Sequence, residues 1–168
     1  KLNDSGSAVV SEETAALLQN AMTYSAATGG LFDVTVAPLV SLWGITTDSP
    51  RVPEQSEIDA LLPLVGSGHI HMDGNSVTLD DGCAVDLGGI AKGYASDRVA
   101  EVLRQYAVTG AAVSLGGNVY VCGQKSDGSA WSVAVQDPKN NGAYAMTLEL
   151  TDVFAVTSGG YQRYFTGP

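Results

Sequence analysis

The stretch Asp86-Leu87-Gly88-Gly89-Ile90-Ala91-Lys92 sets a carboxylate and an ammonium on either side of a glycine pair. Such a set can handle a phosphorylated or hydrogen-bonding ligand. Lys92 could balance a phosphate or a polar ring oxygen, and Asp86 could accept hydrogen bonds from a ligand's N–H or O–H groups. A bare carbonyl at the glycine pair could help hold Mg2+, which takes hard oxygen ligands. Glycine allows close backbone approach, and a helix starting there leaves N–H groups pointing at whatever docks. The same residues also make a tight strand-to-helix junction with a surface Asp and Lys. The stretch alone leaves both readings open.

Three phosphate-handling templates fail. Gly88 and Gly93 have the glycine spacing of a Walker A loop, but Lys92 precedes Gly93 instead of following it. The GxGxxG dinucleotide fingerprint is excluded because Gly88 and Gly89 are adjacent, and a kinase glycine loop fails for the same reason. What remains is a helix start reached through glycine.

The elements that must position this turn can be read from pattern. Cys83-Ala84-Val85 reads as a strand leading into it. The helix that follows carries apolar Ala95, Val99, Val102, Leu103 and Tyr106 at helical spacing, with Asp97, Glu101 and Arg104 on the other side. Earlier, Ser11 before Glu12-Glu13 predicts an N-cap with acids in the first turn. Ala15, Leu18 and Met22, widened by Leu17, Ala21 and Tyr24, give that helix its apolar stripe, and Gly29-Gly30 ends it. Pro38 suits the first turn of a helix from Ala37 to Trp43. Asp33, inside an apolar run, either caps that helix or serves as a ligand.

Further along, Ile45 to Gln55 is a loop and Ser56 to Leu62 a short helix. His69 to Asp73 and Ser76 to Asp80 flank Gly74-Asn75 as a hairpin. His69 and His71 alternate onto one face and read as solvent-facing histidines, with no third metal ligand nearby. Ala111 to Leu115 predicts a buried strand ending in Gly116-Gly117-Asn118. Strands follow at Val119 to Cys122, Trp131 to Val135, Tyr144 to Leu150 and Val153 to Val156, then an aromatic strand after Gly159-Gly160. Strands in meanders with helices early and mid-chain predict an α+β fold of antiparallel sheet meanders with packed helices, in one domain over residues 1–168.

Bulk properties bound the function. The 168 residues suffice for a sizeable core, and 45% hydrophobic with 15% charged residues is globular composition. A net charge of -10 repels polyanions and argues against a nucleic-acid partner. No apolar run reaches a membrane-spanning length. Lys1-Leu2-Asn3-Asp4 reads as polar loop, with no signal peptide and no initiator Met, as in a piece of a longer protein. Cys83 and Cys122 lack metal-site spacing. They are either two buried thiols on strands or, if those strands pair in an oxidising compartment, one disulfide.

The segment VDLGGIAKGYASD, Val85 to Asp97, resembles the signature of the ApbE family of FAD:protein FMN transferases. Further blocks agree in order and spacing: TGGLFDVTVAPLVSLWG from Thr28, VSLGGNVYVCG from Val113 and TSGGYQRYF from Thr157. Together they cover nearly the whole chain.

The resemblance implies a T-fold-related, Mg-dependent enzyme that cleaves FAD and transfers FMN to a Thr or Ser hydroxyl of a target flavoprotein. It implies FAD contacts for Leu31, Phe32, Asp33, Asp86 and Lys92, a metal-binding carbonyl at Gly89, and no identified catalytic residue. It also implies a parent protein lipid-anchored outside the cytoplasm, with further metal ligands beyond Pro168. This stretch would then be a poor catalyst by itself. A flavin-binding protein without transfer activity and a Mg-dependent FAD pyrophosphatase are the alternatives, because all three share FAD recognition.

Overall fold

Ser11 begins the first long helix as its side chain dictates, its Oγ accepting the Thr14 N–H at 3.2 Å. In the computed structural model, which describes residues 1–140 and 142–159, the described chain forms two compact units, Lys1–Ala91 and residues 92–159.

In the first unit, α1 (Leu2–Ser5) and β1 (Ser7–Val9) precede α2 (Glu12–Ala27). The expectation of a polar loop at Lys1–Asp4 is thus corrected. The single turn α1 ends on Gly6 at φ 68, and the chain then pairs along the hairpin formed by β2 (Ile70–Asp73) and β3 (Ser76–Leu79). The sheet order is β1-β3-β2, antiparallel throughout. Long-range pairing decides this, which no local propensity reveals. α2 buries Ala15, Leu17, Leu18, Ala21 and Ser25. Tyr24, expected on that stripe, is exposed, and Ser25 takes the inward place. Leu18, Ala21, Val34, Ile70, Val77, Leu79 and Cys83 make the core of this unit. α3 (Ala37–Trp43) carries Pro38 in its first turn, as predicted, and closes on Gly44 at φ 65; α4 (Gln55–Leu61) follows.

The second unit opens with α5 (Ala91–Gln105) and continues as β4 (Gly110–Leu115), β5 (Asn118–Gly123), β6 (Trp131–Gln136), β7 (Tyr144–Leu150) and β8 (Val153–Val156). One sheet runs β4-β5-β8 and a second pairs β6 with β7, every pair antiparallel. The fold is α+β, as expected.

Two details of this unit depart from the sequence reading. α5 buries Ser96 and Ala100, with Val99 and Leu103 half-buried, while Ala95, Val102 and Tyr106 are exposed. Ser96 can be buried because its Oγ donates to Lys92 O at 2.9 Å, so the hydroxyl needs no water. β4 lies at a sheet edge and alternates half-buried with exposed positions, so it is not the buried strand predicted. The residues from Gly160 on, including the expected aromatic strand, lie outside the described residues.

Both thiols are free and buried, Cys122 on β5 and Cys83 in irregular chain. Burial pushes the Cys83 thiol up from its ordinary value, with the Asp80 charge adding to it.

Candidate functional site

The Asp86 segment is built without a sheet. Cys83–Val85, expected as a strand, pairs with no strand among the described residues; the chain there is irregular. Asp86 N–H instead donates to Val34 O at 2.7 Å. The Asp86 carboxylate folds the next turn by accepting the Gly88 N–H on Oδ1 at 2.7 Å, an Asx-type turn. Ile90 and Ala91 N–H then donate to Leu87 O at 3.0 and 2.8 Å and start α5.

Gly88 and Gly89 both pass close to side chains. A Cβ on Gly88 would stand 3.0 Å from Asp86 Oδ1, and one on Gly89 would stand 3.1 Å from Phe32 Cε2. The Phe32–Val34 backbone and ring therefore lie against the Asp86–Gly89 turn. Asp86 is half-buried and lines an open cleft of about 480 Å³, whose wall also includes apolar Leu18, Val40 and Leu87 and polar Asn3, Ser41 and Thr46. The lining mixes polar and apolar side chains, so a ligand there would meet both hydrogen-bonding groups and apolar surface.

Asp33 is tied into the fold. It caps a 3-10 turn, Val34–Val36, accepting Thr35 N–H at 2.9 Å and Thr35 Oγ1–H at 2.6 Å on Oδ1. Its Oδ2 accepts Ser25 Oγ–H at 2.9 Å. Thr35 Oγ1 in turn accepts the Gly66 N–H at 2.7 Å. Burial pushes the Asp33 carboxyl up, but hydrogen bonds from Thr35, Ser25 and Ser67 outweigh it and hold the group below the ordinary carboxylate value. The capping reading is therefore what the geometry shows.

Leu31 is 93% exposed beside this cluster in sequence. Lys92 belongs to the second unit, where its ammonium donates to Gly116 O at 3.2 Å. That carbonyl sits in the Gly116-Gly117 turn, both residues at positive φ, between β4 and β5. Asn118, one residue on, is 4% exposed, and among the described residues no donor reaches its Oδ1. Buried acceptors are rarely left unpaired, so this oxygen is open to a donor from outside the described residues. Sequence reading treated Asn118 only as a turn former. Its place opposite Leu115 puts it on the same face of β5 as Tyr120 and Cys122, and strand alternation could have shown that.

Sequence reading also missed a partner for the histidines. Asp80 Oδ2 meets His69 Nδ1 at 2.9 Å and Asp80 Oδ1 meets His71 Nε2 at 2.7 Å. A hairpin centred on Gly74-Asn75 pairs Ile70 with Leu79, so simple counting puts His69 opposite Asp80. The three do not form a cation site: among the described residues no group of three His, Cys, Asp or Glu side chains could hold a metal ion. The Gly89 carbonyl on its exposed turn does not complete the near-octahedral oxygen set that Mg2+ requires. The described residues by themselves do not fit that ion.

The comparisons with known proteins agree on a family. The ApbE family model matches residues 1–168, and the chain belongs to the ApbE family. It is 33% identical over 160 residues to the FAD:protein FMN transferase of Vibrio cholerae, covering 93% of this chain and 48% of that protein. It is 33% identical to the Escherichia coli K12 FAD:protein FMN transferase, with coverage of 93% and 47%. The crystal structure of the ApbE protein from Thermotoga maritima superposes with a TM-score of 0.89 at 34% identity, covering 98% of this chain and 55% of that one. The apo flavinyl transferase ApbE of Pseudomonas stutzeri gives 0.79 at 31% identity, with coverage of 95% and 52%. The chain spans about half the length of the relatives it matches.

Proposed function

We propose that this chain forms part of an FAD:protein FMN transferase and supplies part of its FAD-recognising surface. The observation that carries the reading is the Phe32–Val34 segment laid against the Asp86–Gly89 turn beside an open cleft of about 480 Å³, in a chain of the ApbE family. FAD is the substrate. In the reaction a Thr or Ser hydroxyl of a target flavoprotein attacks the FMN phosphorus, the bond to the bridging pyrophosphate oxygen breaks, and AMP leaves as the hydroxyl loses its proton. FMN ends as a phosphoester on the acceptor.

Phe32 and Leu31 offer apolar contact, Asp86 accepts from a ligand N–H or O–H, Asp33 frames the segment, and Lys92 offers its ammonium to an anionic or carbonyl oxygen. The Gly89 carbonyl would be a single ligand to Mg2+, with the others supplied by residues outside those described, and the ion would neutralise charge on the pyrophosphate. Support for these roles is the match of the residues around them to the family's blocks. On the same reading the longer protein is lipid-anchored outside the cytoplasm. Among the described residues no helix is long and apolar enough to cross a membrane.

The test incubates the longer protein with FAD, Mg2+ and a Thr-containing acceptor, then denatures. Flavin that stays covalently on the acceptor is the expected result. Release of free FMN and AMP indicates a pyrophosphatase instead, and unchanged FAD indicates a binder.

A further inference from the structure

We propose that Asn3 is a positioning residue for Asp86, acting as the strand partner that the Asp86 segment lacks. The proposal rests on the reading that Asp86 contacts FAD. Asn3 Nδ2 donates to Val85 O at 2.9 Å, and Asn3 Oδ1 accepts the Val85 N–H at 2.9 Å. A primary amide carries a donor and an acceptor in one plane, as a peptide does. Here it exchanges both bonds with one residue, as two residues do in the hydrogen-bonded pair of an antiparallel ladder. Among the described residues Val85 belongs to no strand pairing, so this side chain stands where a neighbouring strand would.

The next peptide is fixed from a different direction, by Asp86 N–H on Val34 O at 2.7 Å. Consecutive residues are thus pinned by α1 and by the 3-10 turn, and the Gly88 N–H then fixes the carboxylate itself. α1 is suited to presenting Asn3. Leu2 packs on the core, and Gly6 O accepts the Leu79 N–H at 2.7 Å, tying the turn to β3. Asn3, Val85 and Asp86 all line the same cleft, so a shift of this peptide moves the carboxylate relative to whatever occupies it. Asn3 is exposed, which makes its replacement mild for folding.

The experiment measures FAD affinity by titration calorimetry for the unaltered chain, Asn3→Ala, Asn3→Asp, Asp86→Asn and the double variant Asn3→Ala with Asp86→Asn. Hydrogen exchange of the Val85 amide is followed alongside. Asn3→Ala should weaken FAD binding roughly five- to twenty-fold, the worth of one or two such bonds. Asn3→Asp keeps the size and one acceptor but turns an oxygen toward Val85 O, so it should weaken binding at least as much, and it reports if the alanine variant folds poorly. In the Asp86→Asn background the loss from Asn3→Ala should vanish, because residues acting as a unit are not additive. The Val85 amide should exchange faster while the Asp86 amide stays protected. Equal weakening in both backgrounds, or unchanged affinity, overturns the proposal while leaving the FAD reading intact. Should Asp86→Asn alone leave FAD affinity unchanged, the FAD reading of Asp86 fails, and the proposal with it.

Discussion

Asp33→Ala separates the two readings of that carboxylate. The side chain accepts three hydrogen bonds, from Thr35 N, Thr35 Oγ1 and Ser25 Oγ. Ser25 and Thr35 are 3% and 0% exposed, so water cannot replace the lost acceptor. At roughly 1–2 kcal/mol for each bond to an ionised group, partly offset by relaxation, removing it should cost about 3–5 kcal/mol. That is a fall of roughly 6–20 °C in Tm for a chain of this size. Asp33→Asn keeps one carbonyl oxygen for Thr35 and can accommodate Ser25 by turning its hydroxyl, so it should cost about 1–2 kcal/mol.

The pH dependence follows from the lowered carboxyl pKa. The contribution is fully present above the unfolded value near 4 and is lost as pH falls through the folded one. The stability gap between the unaltered chain and Asp33→Asn should accordingly be flat at neutral pH and close below about pH 4. Urea unfolding without flavin is the assay. If Asp33→Ala unfolds at the same urea concentration as the unaltered chain yet no longer binds FAD, the capping account is refuted and Asp33 is a ligand contact alone.

Other expected outcomes can be stated briefly. Gly123→Ala should be severely destabilising, by about 3 kcal/mol or more in urea unfolding, since its Cβ would stand 1.9 Å from Thr109 O on a backbone at φ +53. Gly88→Ala, by contrast, crowds only the Asp86 side chain at 3.0 Å, so it should weaken FAD binding with little change in Tm. The Glu57 carboxyl is held at about 2, against an ordinary 4.5, first by the Arg51 guanidinium and then by the Glu54 N–H. Its contribution to stability is present above the ordinary value and lost as pH falls toward 2. An NMR titration should show that low midpoint, rising in Arg51→Ala; an unshifted midpoint in the variant would reject the Arg51 account.

Much of the frame was legible because local chemistry and final structure agree. Ser11, Pro38 and the Gly29-Gly30 pair mark helix boundaries through groups within a few residues of one another. The Gly74-Asn75 hairpin follows from turn chemistry in the same way. Elements held by distant partners were not legible. β1 exists because β3 offers it an edge, and α5 turns a different face inward because Ser96 satisfies its own hydroxyl. Asp80 between two histidines, and Asn118 opposite Leu115, depend on strand register, which a single segment's pattern does not specify.

The two aspartates assigned to FAD by resemblance differ in the acceptor capacity they retain. A carboxylate offers about four lone-pair sites. Asp33 already accepts three side-chain and main-chain donors from Thr35 and Ser25, and Ser67 adds to its stabilisation. Asp86 accepts the Gly88 N–H on one oxygen, is half-buried, and lines the cleft. A ligand donor therefore meets open capacity at Asp86 and an almost filled set at Asp33. The consequence is an order of effects: Asp86 substitutions should act on FAD affinity at nearly constant stability, whereas Asp33 substitutions should act on stability first and on FAD through the displaced Phe32–Val34 segment. The residue inside the apolar run holds its own segment in place, and on the proposed FAD reading it is the residue opening the glycine turn that has an oxygen left for the ligand.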